Sequence, residues 1–338
     1  SKRIVRSSTP ETLGEPADGG LSNERILLPV TDAQWSEKLL ELAIMIKEKR
    51  SPNPLTVLTV VPNDEQAELN VQRARIELEP MVRHAAAFDA SLNVIATIDY
   101  NVCSGVGRSA KELMSDIIVY GWPHRRGFIG RMIHDTAENI VACTSKTTFI
   151  CHFSRPLAMH RRIVVACPPF AEKEKGFAQW VVKVSRMARE LSIPVVCHCE
   201  KRSRSAIIDV LRDIQSGVHF GFESYRNFRE WEGLSAGSAH VREEDLLVFV
   251  SSRPDSVSYR SLFEQLPERL EEQFNNVSKI MVYPAQYEPR DKDEGYVDIV
   301  AIPFSFSRSA VQKIGRELGG FLKKSSLPLK RSMKKRRR

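Results

Sequence analysis

Arg162-Ile163-Val164-Val165-Ala166 restarts a pattern that the chain first writes as Arg25-Ile26-Leu27-Leu28-Pro29-Val30. Both runs are short and apolar, which suits a strand buried on two faces. After the first run, Trp35, Leu39, Leu42, Ala43 and Ile46 recur at helical spacing within residues 35–49. Residues 55–61 (LTVLTVV) predict a second strand, 64–87 a long helix and 92–98 a third strand. Residues 107–114 predict a short helix, 116–120 (DIIVY) a fourth strand, 132–143 a helix and 147–151 (TTFIC) a fifth strand. The cycle then runs again: strand 162–166, helix 176–191, strand 194–199, helix 204–214, strands 218–222 and 245–250, helix 262–274 and strand 279–283. Strands one, four and five recur at offsets of about 129–137 residues, the mark of a tandem repeat. Alternating strands and helices predict parallel sheets with right-handed crossovers. The expected fold class is α/β, with two tandem five-stranded parallel-sheet, Rossmann-like units. They span 23–155 and 160–285 and are related by a local twofold axis. A polar linker, 1–22, precedes them, and a basic extension, 286–338, follows.

Composition supports a folded body. Hydrophobic residues are 42% and charged residues 27% of the 338, which excludes a wholly disordered or collagen-like chain. The longest apolar runs, such as Leu246-Leu247-Val248-Phe249-Val250, fall far short of the roughly 20 residues of a membrane helix. The chain begins with Ser, and no apolar signal region follows, so no signal peptide is expected; a fragment or processed chain is the expectation, and a lost initiator Met would give the same start. The net charge of +8 is a tail property. Lys323, Lys324, Lys330, Arg331, Lys334, Lys335, Arg336, Arg337 and Arg338 lie in one stretch without an acid, and the rest of the chain is close to neutral. The body thus gives no charge-based reason to expect nucleic acid. Upstream of that stretch, residues 298–304 predict a strand. Val311, Ile314, Leu318 and Phe321 line one side of a predicted basic helix over 310–324. That helix either packs on the second unit or lies at a membrane surface.

The segment after the fourth strand is the chemically informative one. It reads Gly121-Trp122-Pro123-His124-Arg125-Arg126-Gly127-Phe128-Ile129-Gly130-Arg131-Met132-Ile133-His134-Asp135-Thr136-Ala137-Glu138-Asn139-Ile140. A glycine-rich loop between a strand and a helix can bind phosphate through backbone N–H groups. No GxxxxGK[ST] sequence occurs anywhere, which excludes P-loop chemistry. Asp135 or Thr136 can instead be read as an ordinary helix cap, and Arg125 and Arg126 as solvated loop charges. His124 and His134 can be read as a proton-sensing pair.

At this loop the chain resembles the universal stress protein family, whose nucleotide loop has the form G-x-x-G-x(9)-G-[ST] followed by an Ala-Glu-x-Val/Ile helix start. Gly121, Gly127 and Ala137-Glu138-x-Ile140 match, while His124, His134 and Asp135 replace the second glycine, the third glycine and the Ser/Thr. The family's first strand ends in an Asp; here Thr31-Asp32 puts it one place late. The resemblance implies an adenine nucleotide such as ATP, held near Thr31, Asp32, Gly121, His124, Arg125, Arg126, Gly127, Gly130, His134, Asp135 and Thr136. Binding should be weak, because Asp135 repels phosphate and the two histidines obstruct close approach. The corresponding second loop, Ser251-Ser252-Arg253-Pro254-Asp255, has no glycine.

Degenerate tandem units of this kind resemble the cytoplasmic halves of monovalent cation/proton antiporters. That implies a non-enzymatic regulatory region at the inner face of the membrane, with a transmembrane antiporter domain in cis and anionic lipid under the basic tail. A homodimer also fits. The alternative is a free-standing tandem stress protein that binds a nucleotide. No Ser/His/Asp or Cys/His arrangement has supporting local sequence, so catalytic residues are not expected. Six cysteines, at 103, 143, 151, 167, 197 and 199, show no zinc cadence and are expected as reduced cytoplasmic thiols. In Cys197-His198-Cys199 the thiols face one side of a strand and the histidine the other, which reads as packing, with no metal.

Overall fold

The computed structural model describes residues 23–31, 33–122, 137–225, 227–232 and 240–286. The first half runs β1 (Ile26–Pro29), α1 (Ala33–Ile46), β2 (Leu55–Pro62), α2 (Ala67–Ala87), β3 (Leu92–Asp99), α3 (Val102–Glu112), β4 (Ile117–Gly121), α4 (Ala137–Ala142) and β5 (Thr147–His152). The second half repeats the cycle as β6 (Arg162–Ala166), α5 (Phe177–Leu191), β7 (Val195–His198), α6 (Lys201–Asp213), β8 (Phe220–Glu223), α7 (Arg229–Glu232), β9 (Asp245–Val250), α8 (Leu266–Gln273) and β10 (Ser278–Tyr283).

All ten strands belong to one sheet, in the order β3-β2-β1-β4-β5-β10-β9-β6-β7-β8. Within each half the strands are parallel and their order is the same. At the seam β5 and β10 pair antiparallel, with Ile150 opposite Met281 and Phe149 opposite Val282. A repeated order with one antiparallel joint is what a local twofold axis through the seam produces, and ten strands fit two tandem units. The α/β fold class expected from the sequence is observed.

The apolar runs make sense in this sheet because both of its faces are covered. Successive residues point to opposite faces. Ile26, Leu28, Ile117, Val119, Phe149, Val248 and Ile280 join one buried layer beneath α1, α2, α5 and α6. Leu27, Ile118, Ile150, Leu247, Phe249 and Met281 join the other, beneath α3, α4, α7 and α8. Each layer continues across the seam. On α1 the predicted stripe is buried at Leu39, Leu42, Ala43 and Ile46.

Several boundaries differ from the sequence expectation. The helix expected from residue 64 begins at Ala67, because Asp64 makes a turn and its carboxylate accepts a hydrogen bond from Gln66 N (2.9 Å). Helix α3 starts before the expected 107, capped by Asn101, whose Oδ1 accepts from Ser104 N at 2.8 Å. The helix expected over 262–274 divides into a 3-10 turn, Ser261–Glu264, and α8. Pro267, lacking an N–H, is placed in the first turn of the new helix rather than inside a continuous one. Helix α7 had no periodic signal. The reduced-thiol expectation is corrected: Cys103 and Cys143 form a disulfide, with Cα atoms 5.9 Å apart. A Cβ on Gly107 would lie 2.7 Å from the Cys143 carbonyl oxygen, so glycine there lets α3 approach the end of α4. Forty residues separate the two cysteines, and only packing brings them together. The other four are free and buried. The linker 1–22, the predicted strand 298–304, the predicted helix 310–324 and the basic stretch 323–338 lie outside the described residues.

Strand β10 carries a cost. Lys279 is 1% exposed on the same face as Met281 and Tyr283. Its Nζ donates to the Phe274 carbonyl at 2.9 Å and lies 5.3 Å from the centre of the Trp122 ring. Burial pushes its ammonium down to about 8 from 10.5, against the pull of Glu271. Below pH 8 the group is charged in both states, and its burial cost is felt in full. Between about 8 and 10.5 the unfolded chain binds the proton more tightly, so this group's contribution to stability rises with pH, by about 3 kcal/mol. Lys279→Met is expected to stabilise the protein by about 1–2 kcal/mol at pH 7 and to remove that rise. Urea denaturation of both proteins across pH 7–10.5 measures it, and equal pH profiles would refute it.

Candidate functional site

The strand order reverses between β1 and β4, the neighbours whose connections depart to opposite sides. Ligands of open α/β sheets bind at such a switch point, outside the carboxyl ends of the strands. The register Ile26↔Ile117 and Leu27↔Ile118 brings Thr31 and Gly121 to the same end of the sheet. Thr31 is exposed and Gly121 half-buried. Val30 N donates to Leu58 O at 2.8 Å, and Thr59 Oγ1 donates to Val30 O at 3.2 Å, which ties the end of β1 to β2. A Cβ on Gly121 would press on Leu39 Cδ1 at 3.2 Å, so this glycine also serves the packing of α1. Trp122 N donates to Cys151 O at 2.8 Å, which directs the chain out of β4 alongside β5. Of the residues expected at the nucleotide site, Asp32, His124, Arg125, Arg126, Gly127, Gly130, His134, Asp135 and Thr136 lie outside the described residues. Beyond them the chain re-enters at α4, where Ile140 and Val141 are buried against the sheet.

The second half has its own switch point, between β6 and β9. Cys167, Ser251 and Ser252 are buried, and Tyr225 donates its hydroxyl hydrogen to Cys167 O at 3.0 Å. Arg253, 5% exposed, turns inward and donates to the carbonyls of Val141 (3.3 Å), Lys146 (2.6 Å), Tyr283 (3.4 Å) and Pro284, and to Thr148 Oγ1 (3.3 Å). Burial pulls its guanidinium down to about 10, against Tyr283 and Glu174, so it stays charged at neutral pH. The loops at this end of the sheet also border an open cavity of about 430 Å³, lined by Glu200, Asn227, Arg229, Tyr259, Arg260 and Ser261 among others. Sequence reasoning missed this cavity. The loops after β7, β8 and β9 carry no shared motif, and only their convergence at one end of the sheet makes the hollow.

No family model matches the chain, and no curated protein matches it. Solved structures do match in fold. A universal stress protein from Archaeoglobus fulgidus superposes with a TM-score of 0.53 at 13% identity, over 79% of this chain and 99% of its own. A protein from Pseudomonas aeruginosa described as a putative universal stress protein gives 0.50 at 10% identity, over 78% and 95%. The cytoplasmic domain of a prokaryotic cation chloride cotransporter gives 0.50 at 12% identity, over 79% and 98%. The chain therefore shares the universal-stress-protein-like fold, and one protein with that fold is a transporter's cytoplasmic domain. Among the described residues, no helix is long and apolar enough to cross a membrane.

Proposed function

We propose that this chain is a non-enzymatic regulatory region of a monovalent cation/proton antiporter, held at the cytoplasmic face of the membrane and weakly responsive to an adenine nucleotide. The observation that carries the reading is its likeness in fold to a transporter's cytoplasmic domain, over 98% of that domain. The unequal halves add support. At the second switch point Cys167, Ser251 and Ser252 are buried and the loop after β9 has no glycine, while the first has an exposed Thr31 and a glycine at the strand ends. Halves whose strand ends differ in this way suit a sensor more than a pair of equivalent binding modules. The nine basic residues of 323–338 then lie against anionic lipid, each contributing about 1 kcal/mol at the surface. The second reading, a free-standing nucleotide-binding stress protein, draws on the Archaeoglobus and Pseudomonas structures. A coding sequence with a series of hydrophobic spans upstream of Ser1 supports the transporter setting, and an initiator Met directly before Ser1 supports the other.

The nucleotide part is tested by titrating ATP into the full chain in a calorimeter. By the motif resemblance Asp135 stands at the Ser/Thr position that meets the phosphates, and a like-charge pair at ~4 Å and an effective dielectric near 20 repels by about 4 kcal/mol before screening. Weak binding is expected, and Asp135→Ser should tighten it by about tenfold or more. Tight binding that the substitution leaves unchanged would overturn this reading, as would no binding by either protein.

A further inference from the structure

The sequence Cys197-His198-Cys199 divides between the faces of the sheet. Cys197 and Cys199 enter the buried layer beneath α5 and α6. His198 points to the opposite face, beneath the segment that crosses from β8 to β9, and is 4% exposed. Its ring meets Trp231 edge-on, with centroids 5.0 Å apart. In the parallel register of β7 and β8, His198 lies directly beside Glu223, and His198 Nδ1 is 3.6 Å from Glu223 Oε2. A third group arrives from the crossing segment: the ring of His240 is 5.0 Å from that of His198. The backbone at His240 is held in place, since its carbonyl accepts from Arg162 at 2.7 Å. Arg162 is in turn fixed by two hydrogen bonds to Asp245, at 2.8 and 2.9 Å. One ligand atom each from His198, Glu223 and His240 lies within 4.8 Å of the others.

We propose that His198, Glu223 and His240 form a binding site for a divalent transition-metal ion, with zinc as the reference ion and a fourth position open to solvent. Two imidazoles and a carboxylate are a borderline-soft set that suits Zn²⁺, whereas oxygen-only sites suit magnesium or calcium. Tetrahedral bonds of about 2.0–2.2 Å place ligand atoms roughly 3.4 Å apart. His198 is immobilised, while Glu223 and His240 are exposed and can swing inward to close the remaining distance. The positive charge of Arg162 is matched by Asp245, so it does not oppose a cation unchecked. The two thiols beside His198 cannot join the site, because they lie on the other side of the sheet. The inference is independent of the nucleotide reading and concerns a different place in the fold.

The experiment uses the full chain, stripped with a chelator and titrated with Zn²⁺ by calorimetry and with Co²⁺ by visible absorption. One equivalent of Zn²⁺ is expected, together with a Co²⁺ spectrum of nitrogen and oxygen ligands that lacks a thiolate charge-transfer band. Glu223→Gln and His240→Ala change exposed side chains, so folding is not at stake. Each should weaken binding at least tenfold. His219→Ala, at an exposed histidine outside the cluster, should leave it unchanged. Binding that survives both cluster substitutions, a thiolate band, or the absence of stoichiometric binding would overturn the proposal.

Discussion

Arg253→Met should cost the protein about 3 kcal/mol or more. The guanidinium donates to four backbone carbonyls and one hydroxyl, and all of these lie at or beside the seam. Val141, Lys146 and Thr148 come from the α4–β5 region of the first half, and Tyr283 and Pro284 from the end of β10 in the second. Methionine fills similar volume but removes five hydrogen bonds at once; the Lys146 carbonyl keeps the Thr148 hydroxyl as a donor, and each buried acceptor left unsatisfied costs about 1–3 kcal/mol. Part of the loss is returned, because a charge with no carboxylate among these hydrogen-bond partners is no longer buried. Arg253→Lys separates the two effects. It keeps the charge but not the planar five-donor fork, so it should also destabilise, by about 2–3 kcal/mol. Urea denaturation at pH 7 measures both. A loss below about 1 kcal/mol for both would mean that water replaces the guanidinium without penalty and that the seam does not depend on it.

Glu24→Gln should be of similar severity, about 3–5 kcal/mol. Lys183, on α5 of the second half, is 2% exposed and donates to Glu24 and to the Ile46 carbonyl (2.9 Å), both in the first half. Glu24 also accepts from Glu48 N at 2.7 Å, and Arg186, one turn along α5, donates to Glu48 and to the Lys47 carbonyl. A neutral amide in place of the Glu24 carboxylate would leave the Lys183 ammonium buried without its counter-charge. Burial already lowers that group's pKa, and Glu24 opposes the shift. Removing the carboxylate drives the folded-state pKa further down, so the unfolded chain holds the proton over a wider range. The variant's deficit should be full below its new folded pKa and shrink as pH rises above it. In the double variant Glu24→Gln/Lys183→Met most of the stability should return, which gives a large positive coupling in a double-mutant cycle. Additive losses would show that the pair is not energetically linked.

The strands were the most legible elements. RILLPV, LTVLTVV, DIIVY, RIVVA and DLLVFV read as continuous apolar runs because helices cover both faces of the sheet. Helices α1 and α5 were legible because each buries one stripe, Leu39-Leu42-Ala43-Ile46 in the first and Trp180-Val181-Val184-Met187-Ala188 in the second. Helix α7 was not, since four residues are too few to show a period. At the first switch point, Thr31 and Gly121 could be placed from the sequence, because a strand end and a glycine are local signals. Arg253 could not. A single arginine in a loop reads as a solvated charge until the carbonyls it meets, more than a hundred positions away at Val141 and Lys146, are known.

The sequence by itself determined that this chain builds two similar cycles of strands and helices, and where each first strand begins, because hydrophobic pattern and repeat spacing are properties of neighbours in the chain. Only the tertiary structure decided how those cycles join. The antiparallel pairing of β5 with β10 makes one ten-stranded sheet out of two parallel halves. The same holds for the Cys103–Cys143 bond, the Lys183–Glu24 pair and the gathering of His198 with Glu223 and His240. Each depends on which edges and faces meet once backbone groups at a sheet edge and charges in a core must find partners. That requirement acts between residues far apart in the chain, and no local pattern records its outcome.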